Sequence, residues 1–126
     1  MKSSFNKPQS EAITHGKGPA LILAGPGSGK TLVITQRVKN LIEKQHIRPS
    51  NILVITFTKA AATQMKERFT ILMGEGRYPV TFGTFHAVFF SVLKNAYHYT
   101  AQNIIREEKK YQILYDIIHR MELEYE

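Results

Sequence analysis

Residues 22–38 read ILAGPGSGKTLVITQRV: an apolar run breaks into a Gly/Pro/Ser loop, which ends in Gly29-Lys30-Thr31 and gives way to a helical pattern. Loops that hold phosphate read Gly, four residues, then Gly-Lys-Ser/Thr, between a strand and a helix. Here the first position is Ala24, followed by Gly25, Pro26, Gly27, Ser28, Gly29, Lys30 and Thr31. The alanine is a small departure, because a methyl group adds little bulk. Gly25, Gly27 and Gly29 let the backbone turn tightly and bring its N–H groups onto phosphate oxygens. The N-terminus of the following helix adds a partial positive charge and unpaired donors. Lys30 has the reach of a point charge for β and γ phosphates, and the Thr31 hydroxyl is placed to ligate Mg²⁺. An ordinary Gly-rich turn is the plainer alternative, but it does not call for Lys-Thr between two correct flanks.

Three further segments carry polar or aromatic residues at positions of interest. FNKPQSEAI (residues 5–13) lies upstream of the loop and contains Gln9. The Asn6-x-x-Gln9 spacing fits a helix capping box, with the Gln9 carboxamide reaching back to a backbone N–H. ITFTKAAATQMKER (residues 55–68) follows a second apolar run, and TFGTFHAVF (residues 81–89) follows a third. Thr58 and Thr84 are each placed to cap the helix that follows them.

These residues need elements to hold them. Residues 6–15 read as a short helix with Pro8 in its first turn and Gly16 just past its end. Residues 19–24, PALILA, suit a strand buried on both faces of a parallel sheet. Helical spacing of Val33, Ile34, Val38, Leu41 and Ile42 predicts a helix over residues 29–44, and residues 52–57 read as a second buried strand. Ala62, Met65, Phe69 and Leu72 share one face of a helix over residues 59–72. A third strand is expected at residues 80–82, a helix striped by Phe85, Val88, Phe89, Val92 and Ala96 over residues 84–97, and a last amphipathic helix over residues 106–121. Strand and helix alternate as in a parallel α/β sheet with helical crossovers. The alternation stops after the last helix, and three strands make a small sheet, so the chain looks cut short.

Composition bounds the rest. At 126 residues the chain is one domain at most, 43% hydrophobic and 21% charged, without repeats or low-complexity blocks. No apolar run approaches the roughly 18 residues that cross a membrane. The start, MKSSFNKPQ, turns polar where a signal peptide would be apolar. A cytoplasmic protein with no membrane partner is the default. There is no cysteine and no His/carboxylate pair at ligand spacing, so neither a disulfide nor a transition-metal site is expected. The formal charge is +7, from 17 basic and 10 acidic residues, with a pI near 9.7. A surplus of that size favours polyanions, among which nucleic acid is commonest.

Taken in order, residues 5–13, the phosphate loop, residues 55–68 and residues 81–89 resemble the N-terminal motifs of the UvrD/Rep-like superfamily 1 DNA helicases. In that family's terms they are similar to the Q motif and motifs I, Ia and Ib. IIREEKKYQILYDIIHRMEL (residues 104–123) is similar to the first helix of the inserted 1B subdomain. The resemblance implies an α/β P-loop NTPase fold of RecA-like type: a partial parallel sheet flanked by helices in three α/β/α layers. Residues 1–100 would form the first half of domain 1A and residues 101–126 the start of subdomain 1B. The implied ligands are ATP with Mg²⁺, and the implied partners are single-stranded DNA and its junctions with duplex. The parent would hydrolyse ATP to move along single-stranded DNA, 3′ to 5′, and unwind duplex, in the bacterial cytosol or nucleoid.

By the same resemblance, Gln9 recognises adenine, the phosphate loop from Ala24 to Thr31 holds the nucleotide, and Lys30 and Thr31 serve catalysis, Thr31 through Mg²⁺. Motif Ia implies DNA contact at Phe57 and Thr58. Phe57 sits where ligands collect in parallel sheets and offers a ring for a base to stack on; burial in the core is the alternative. Motif Ib implies DNA contact at Thr84 and His86. The sequence also departs from the family pattern. Leu32 stands where many members carry Arg, the nearest arginine being Arg37. No Asp-Glu pair follows an apolar strand, so carboxylates for Mg²⁺ are not found, nor is a second motor domain with arginine fingers, worth about 10³–10⁵ in rate. The chain is therefore expected to bind ATP or ADP without turnover, needing the remainder of the helicase chain for activity. Two alternatives stand beside this reading: a freestanding P-loop regulatory module, and a small-molecule kinase, which has no use for the segments at Phe57 and Thr84.

Overall fold

Asn6 opens the first helix, α1 (Lys7–Thr14), by a reciprocal cap. Its side-chain oxygen accepts the Gln9 N–H at 2.9 Å, and its own N–H donates to the Gln9 Oε1 at 3.1 Å. The computed structural model describes residues 5–121. The polar start at residues 1–4 and the acidic end at residues 122–126, including the last part of the segment similar to subdomain 1B, lie outside the described residues.

The chain then forms α2 (Lys30–Glu43), β1 (Leu53–Thr56), α3 (Lys59–Met73), β2 (Thr81–Thr84), α4 (Phe85–Tyr97) and α5 (Glu107–Arg120), with short 3₁₀ turns at Pro49–Asn51 and Ala101–Asn103. Each expected helix forms within a residue or two of its expected ends, because caps and apolar periodicity are local signals. Thr58 caps α3 through the Ala61 N–H. Gly74, at φ 69°, ends that helix where a side chain would be strained.

The strands differ from expectation. β1 and β2 pair in parallel with Leu53 opposite Thr81 and Thr56 opposite Thr84, and they form a two-stranded sheet. Residues 19–24 form no strand. Leu21 and Leu23 are each 87% exposed, and among the described residues no strand offers them a ladder. An apolar run acquires strand structure only by pairing its N–H and C=O groups. Nor are the two strands buried on both faces. Ile52, Val54, Val80 and Phe82 face a core shared with Val38 and Phe69, while Leu53 on the opposite face is exposed.

That core comes from α2 and α3, the latter lying against both strands. A second, smaller cluster joins Ala12 and Ile13 of α1 to Val33 of α2, with Phe5 packed on it. Arg37 secures the same contact from the polar side. Its Nη1 donates to the Ala12 carbonyl at 2.8 Å and to the His15 carbonyl at 3.0 Å, so a cation sits at the C-terminal end of α1. Replacing Arg37 by alanine is expected to cost about 2 kcal/mol, the range of hydrogen bonds to a charged group. A loss below about 0.5 kcal/mol in urea unfolding would place Arg37 among ordinary surface residues and refute its anchoring role.

The described chain divides into two compact units at Val88 and Phe89, inside α4. In the second unit, Thr100 caps the 3₁₀ turn reciprocally with Asn103. Glu107 and Glu108 stand in the first turn of α5 and His119 and Arg120 in its last, the favourable order for the helix dipole. No helix among the described residues is long and apolar enough to cross a membrane.

Candidate nucleotide and nucleic-acid sites

Ala24 to Gly29 form a loop that enters α2 directly. Gly27 and Gly29 take φ of 74° and 81°, a left-handed geometry open to glycine at little cost. Gly29 is the residue before α2, so Lys30 and Thr31 occupy its first turn, where backbone N–H groups have no helical acceptor. Ser28 closes the loop on itself, its Oγ donating to the Gly25 carbonyl at 2.7 Å. The Lys30 ammonium folds over the same loop, donating to the Gly25 carbonyl at 2.8 Å and the Ala24 carbonyl at 3.4 Å. A full positive charge and several free backbone donors therefore converge on one concave turn, the arrangement that attracts a polyphosphate.

Beside the loop lies a pocket of about 350 Å³, lined among others by Pro8, Gln9, Ala12, Ile22, Val33 and Ile34. Its size and mostly apolar walls fall in the range of small-ligand sites. Gln9 stands at the junction of pocket and loop. Besides accepting from Asn6, it donates from Nε2 to the Ser28 carbonyl at 3.1 Å. The sequence left Gln9 between helix cap and base reader; in the structure the cap is present, and the side chain reaches the loop as well. Leu32 is exposed and Arg37 is engaged at the end of α1, so neither puts an arginine at this pocket. Thr31 lies one residue into α2 and its hydroxyl oxygen is one donor suited to Mg²⁺. Among the described residues no group of three His, Asp or Glu side chains could hold a metal ion.

The second set of residues gathers at the C-terminal ends of the two strands. The register sets Thr56 against Thr84, and Phe57 and Phe85 are the residues that follow them. Their rings meet at 5.6 Å between centroids, tilted by 49°. Phe57 is 90% exposed and Phe85 41%, so Phe57 is not a core residue. The Thr58 Oγ1 accepts the Ala61 N–H at 3.1 Å and the Thr84 Oγ1 accepts the Ala87 N–H at 3.2 Å. Two capped helix N-termini thus flank an aromatic pair, with His86 exposed in the first turn of α4. Phe85 did not stand out in the sequence, where it read as part of the α4 stripe. Its signal is the Thr-Phe step that closes each strand, Thr56-Phe57 and Thr84-Phe85.

The sequence matches the UvrD/REP helicase N-terminal domain family over residues 5–126. It is 44% identical over 92 residues to the ATP-dependent DNA helicase PcrA of Bacillus subtilis, a match covering 73% of this chain and 12% of that protein. Proteins of the same name from Staphylococcus epidermidis and Staphylococcus aureus are also 44% identical, over 91 and 90 residues, covering 72% and 71% of this chain. The chain spans about 12% of the length of each of these relatives. A match of this extent, running from the α1 cap through the phosphate loop to both Thr-Phe strand ends, is decisive: the chain belongs to the UvrD/REP helicase N-terminal domain family.

Proposed function

We propose that this chain is the nucleotide-gripping and DNA-contacting N-terminal portion of an ATP-dependent DNA helicase. The observation that carries the reading is the loop geometry: left-handed Gly27 and Gly29 running into α2, with the Lys30 ammonium folded over the Ala24 and Gly25 carbonyls. Ala24 to Thr31 hold the phosphates, Gln9 faces the base from the adjoining pocket, and Thr31 supplies one oxygen to Mg²⁺. When bound, ATP·Mg²⁺ supplies the phosphoryl-transfer energy of the motor. This chain's residues bind and orient it. They include no Asp-Glu pair after a strand, so turnover requires carboxylates and charge stabilisation from the remainder of the helicase.

The finer architecture follows the same reading. Residues 1–100 form the first half of domain 1A and residues 101–126 the start of subdomain 1B. The three-layer P-loop fold is completed when further helicase segments pair with residues 19–24, and the exposure of Leu21 and Leu23 supports this. Movement along DNA is 3′ to 5′, in the cytosol, on single strands and their junctions with duplex. A small-molecule kinase is less well supported, because it has no use for the segments at Phe57 and Thr84. A freestanding regulatory module is less well supported because it would not leave Leu21 and Leu23 exposed.

At the strand ends, Phe57 and Phe85 offer ring faces to a base, while the N-termini of α3 and α4, with Thr58, Thr84 and His86, meet the backbone. Titration of the chain with ATP·Mg²⁺ and with a labelled oligonucleotide tests both halves of the proposal. Single-stranded DNA is expected to bind in a salt-dependent manner, as the charge of +7 favours. Phe57→Ala is expected to lower that affinity on the order of tenfold, from stacking worth about 1–3 kcal/mol per base. Unchanged DNA affinity in that variant would remove Phe57 from the interface.

A further inference from the structure

We infer that Gln9 positions the phosphate loop itself, and so sets affinity for the polyphosphate independently of the base. This rests on the nucleotide site proposed above and assigns a further role within it. A carboxamide has four hydrogen-bonding positions, two on the oxygen and two on the nitrogen. The structure uses one on each side: Oε1 accepts the Asn6 N–H at 3.1 Å, and Nε2 donates to the Ser28 carbonyl at 3.1 Å. The second of these bonds spans 19 residues and is the one hydrogen bond between α1 and the loop among those described. Its acceptor is the carbonyl immediately before Gly29, the left-handed residue that turns the chain into α2. A Cβ on Gly29 would lie 3.5 Å from the same Nε2, so the side chain rests against the turn as well as bonding to it.

The mechanical consequence is direct. α1 is fixed to α2 by Ala12, Ile13 and Val33 and by the Arg37 bonds. Gln9 carries that fixed frame to the Ser28–Gly29 peptide, whose N–H belongs to the phosphate-facing loop. Holding that peptide in place pre-organises the donors for phosphate, and binding then costs less ordering of the loop. Capping α1 and reading a base remain compatible with this role, because each amide atom keeps one free position. Gln9 is thus a positioning residue for phosphate.

Inorganic triphosphate with Mg²⁺, which has no base, separates the roles. Gln9→Met keeps side-chain length and leaves the Asn6 oxygen on the Gln9 N–H, but has no amide to bond Ser28. By calorimetric titration this variant is expected to bind inorganic triphosphate about three- to tenfold more weakly than the wild type, the range of one net hydrogen bond, and GTP by a similar factor. Asn6→Ala serves as the folding control. It removes the forward cap and lowers the melting temperature, yet keeps the Ser28 bond and is expected to retain wild-type triphosphate affinity. Loss of ATP affinity alone in Gln9→Met, with triphosphate and GTP unchanged, would make Gln9 a base reader only and overturn the inference. So would equal weakening in Asn6→Ala, which would trace the effect to the helix cap. A wild-type chain that binds neither triphosphate nor ATP refutes the underlying nucleotide site, a result distinct from both.

Discussion

Lys30→Ala is expected to lower affinity for ATP·Mg²⁺ on the order of a hundredfold, while leaving thermal stability nearly unchanged. The two halves of this expectation come from one geometry. The ammonium lies within hydrogen-bond distance of the Gly25 and Ala24 carbonyls, so its charge is already inside the turn that receives phosphate. A hydrogen bond to a charged group contributes about 1.5–3 kcal/mol, and about 1.4 kcal/mol is a factor of ten. Removing the ammonium also leaves phosphate charge with only backbone donors to meet it. The fold, by contrast, uses Lys30 little. Its side chain is exposed and bonds only to carbonyls of its own loop. Titration calorimetry and a melting curve on the same samples separate these effects. A variant that binds as well as the wild type would refute the phosphate site, and one that melts much earlier would make Lys30 structural. The same variant checks turnover. Neither form is expected to hydrolyse ATP with DNA present, and activity lost with Lys30 would overturn the requirement for further carboxylates.

What the sequence disclosed, and what it did not, divides along local against non-local physics. Asn6 and Thr58 announce helix starts because a cap is a contact between residues a few positions apart. The apolar face of α3 is likewise written in Ala62, Met65, Phe69 and Leu72: the first three are buried as the spacing required, and Leu72, in the last turn, is half-buried. Residues 19–24 form no strand in this structure, because hydrophobicity marks a strand's side chains but says nothing of its ladder partner. The same gap hid the aromatic pair. Phe57 was open between core and surface until the register with β2 put Phe85 beside it. At Gln9, spacing gave the cap but not the bond to Ser28, since a backbone carbonyl has no residue-type signature. In sequence Arg37 is only the nearest arginine after Leu32. Its place at the Ala12 and His15 carbonyls depends on how α1 packs on α2, which one strand of sequence does not state.

Phe69→Ala should produce the largest stability loss of any single substitution considered, about 3–5 kcal/mol. Phe69 is 3% exposed and sits where α3 meets both strands. Its ring lies 5.5 Å from that of Phe82 and 6.3 Å from that of Tyr78, and it shares a cluster with Val38, Ile52 and Val80. Truncation removes the ring's transfer energy and leaves a void in the cluster on which Val54 and Met73 pack. Total stabilities of natural domains are about 5–15 kcal/mol, and this sheet is covered on one face by a single such cluster. The substitution therefore consumes most of the margin holding β1 to β2. The consequence reaches function through register. Phe57 and Phe85 come together only because Thr56 pairs with Thr84, so loosening the strands separates the rings. Urea unfolding followed by circular dichroism should show the loss of stability. Hydrogen exchange should show the amides of β1 and β2 losing protection together, while α1, held to α2 by Ala12, Ile13 and Val33, keeps more of its own. If both strands stay protected and the loss is below about 1 kcal/mol, the typical cost of an unremarkable substitution, then Phe69 is not the residue that holds the aromatic pair in place.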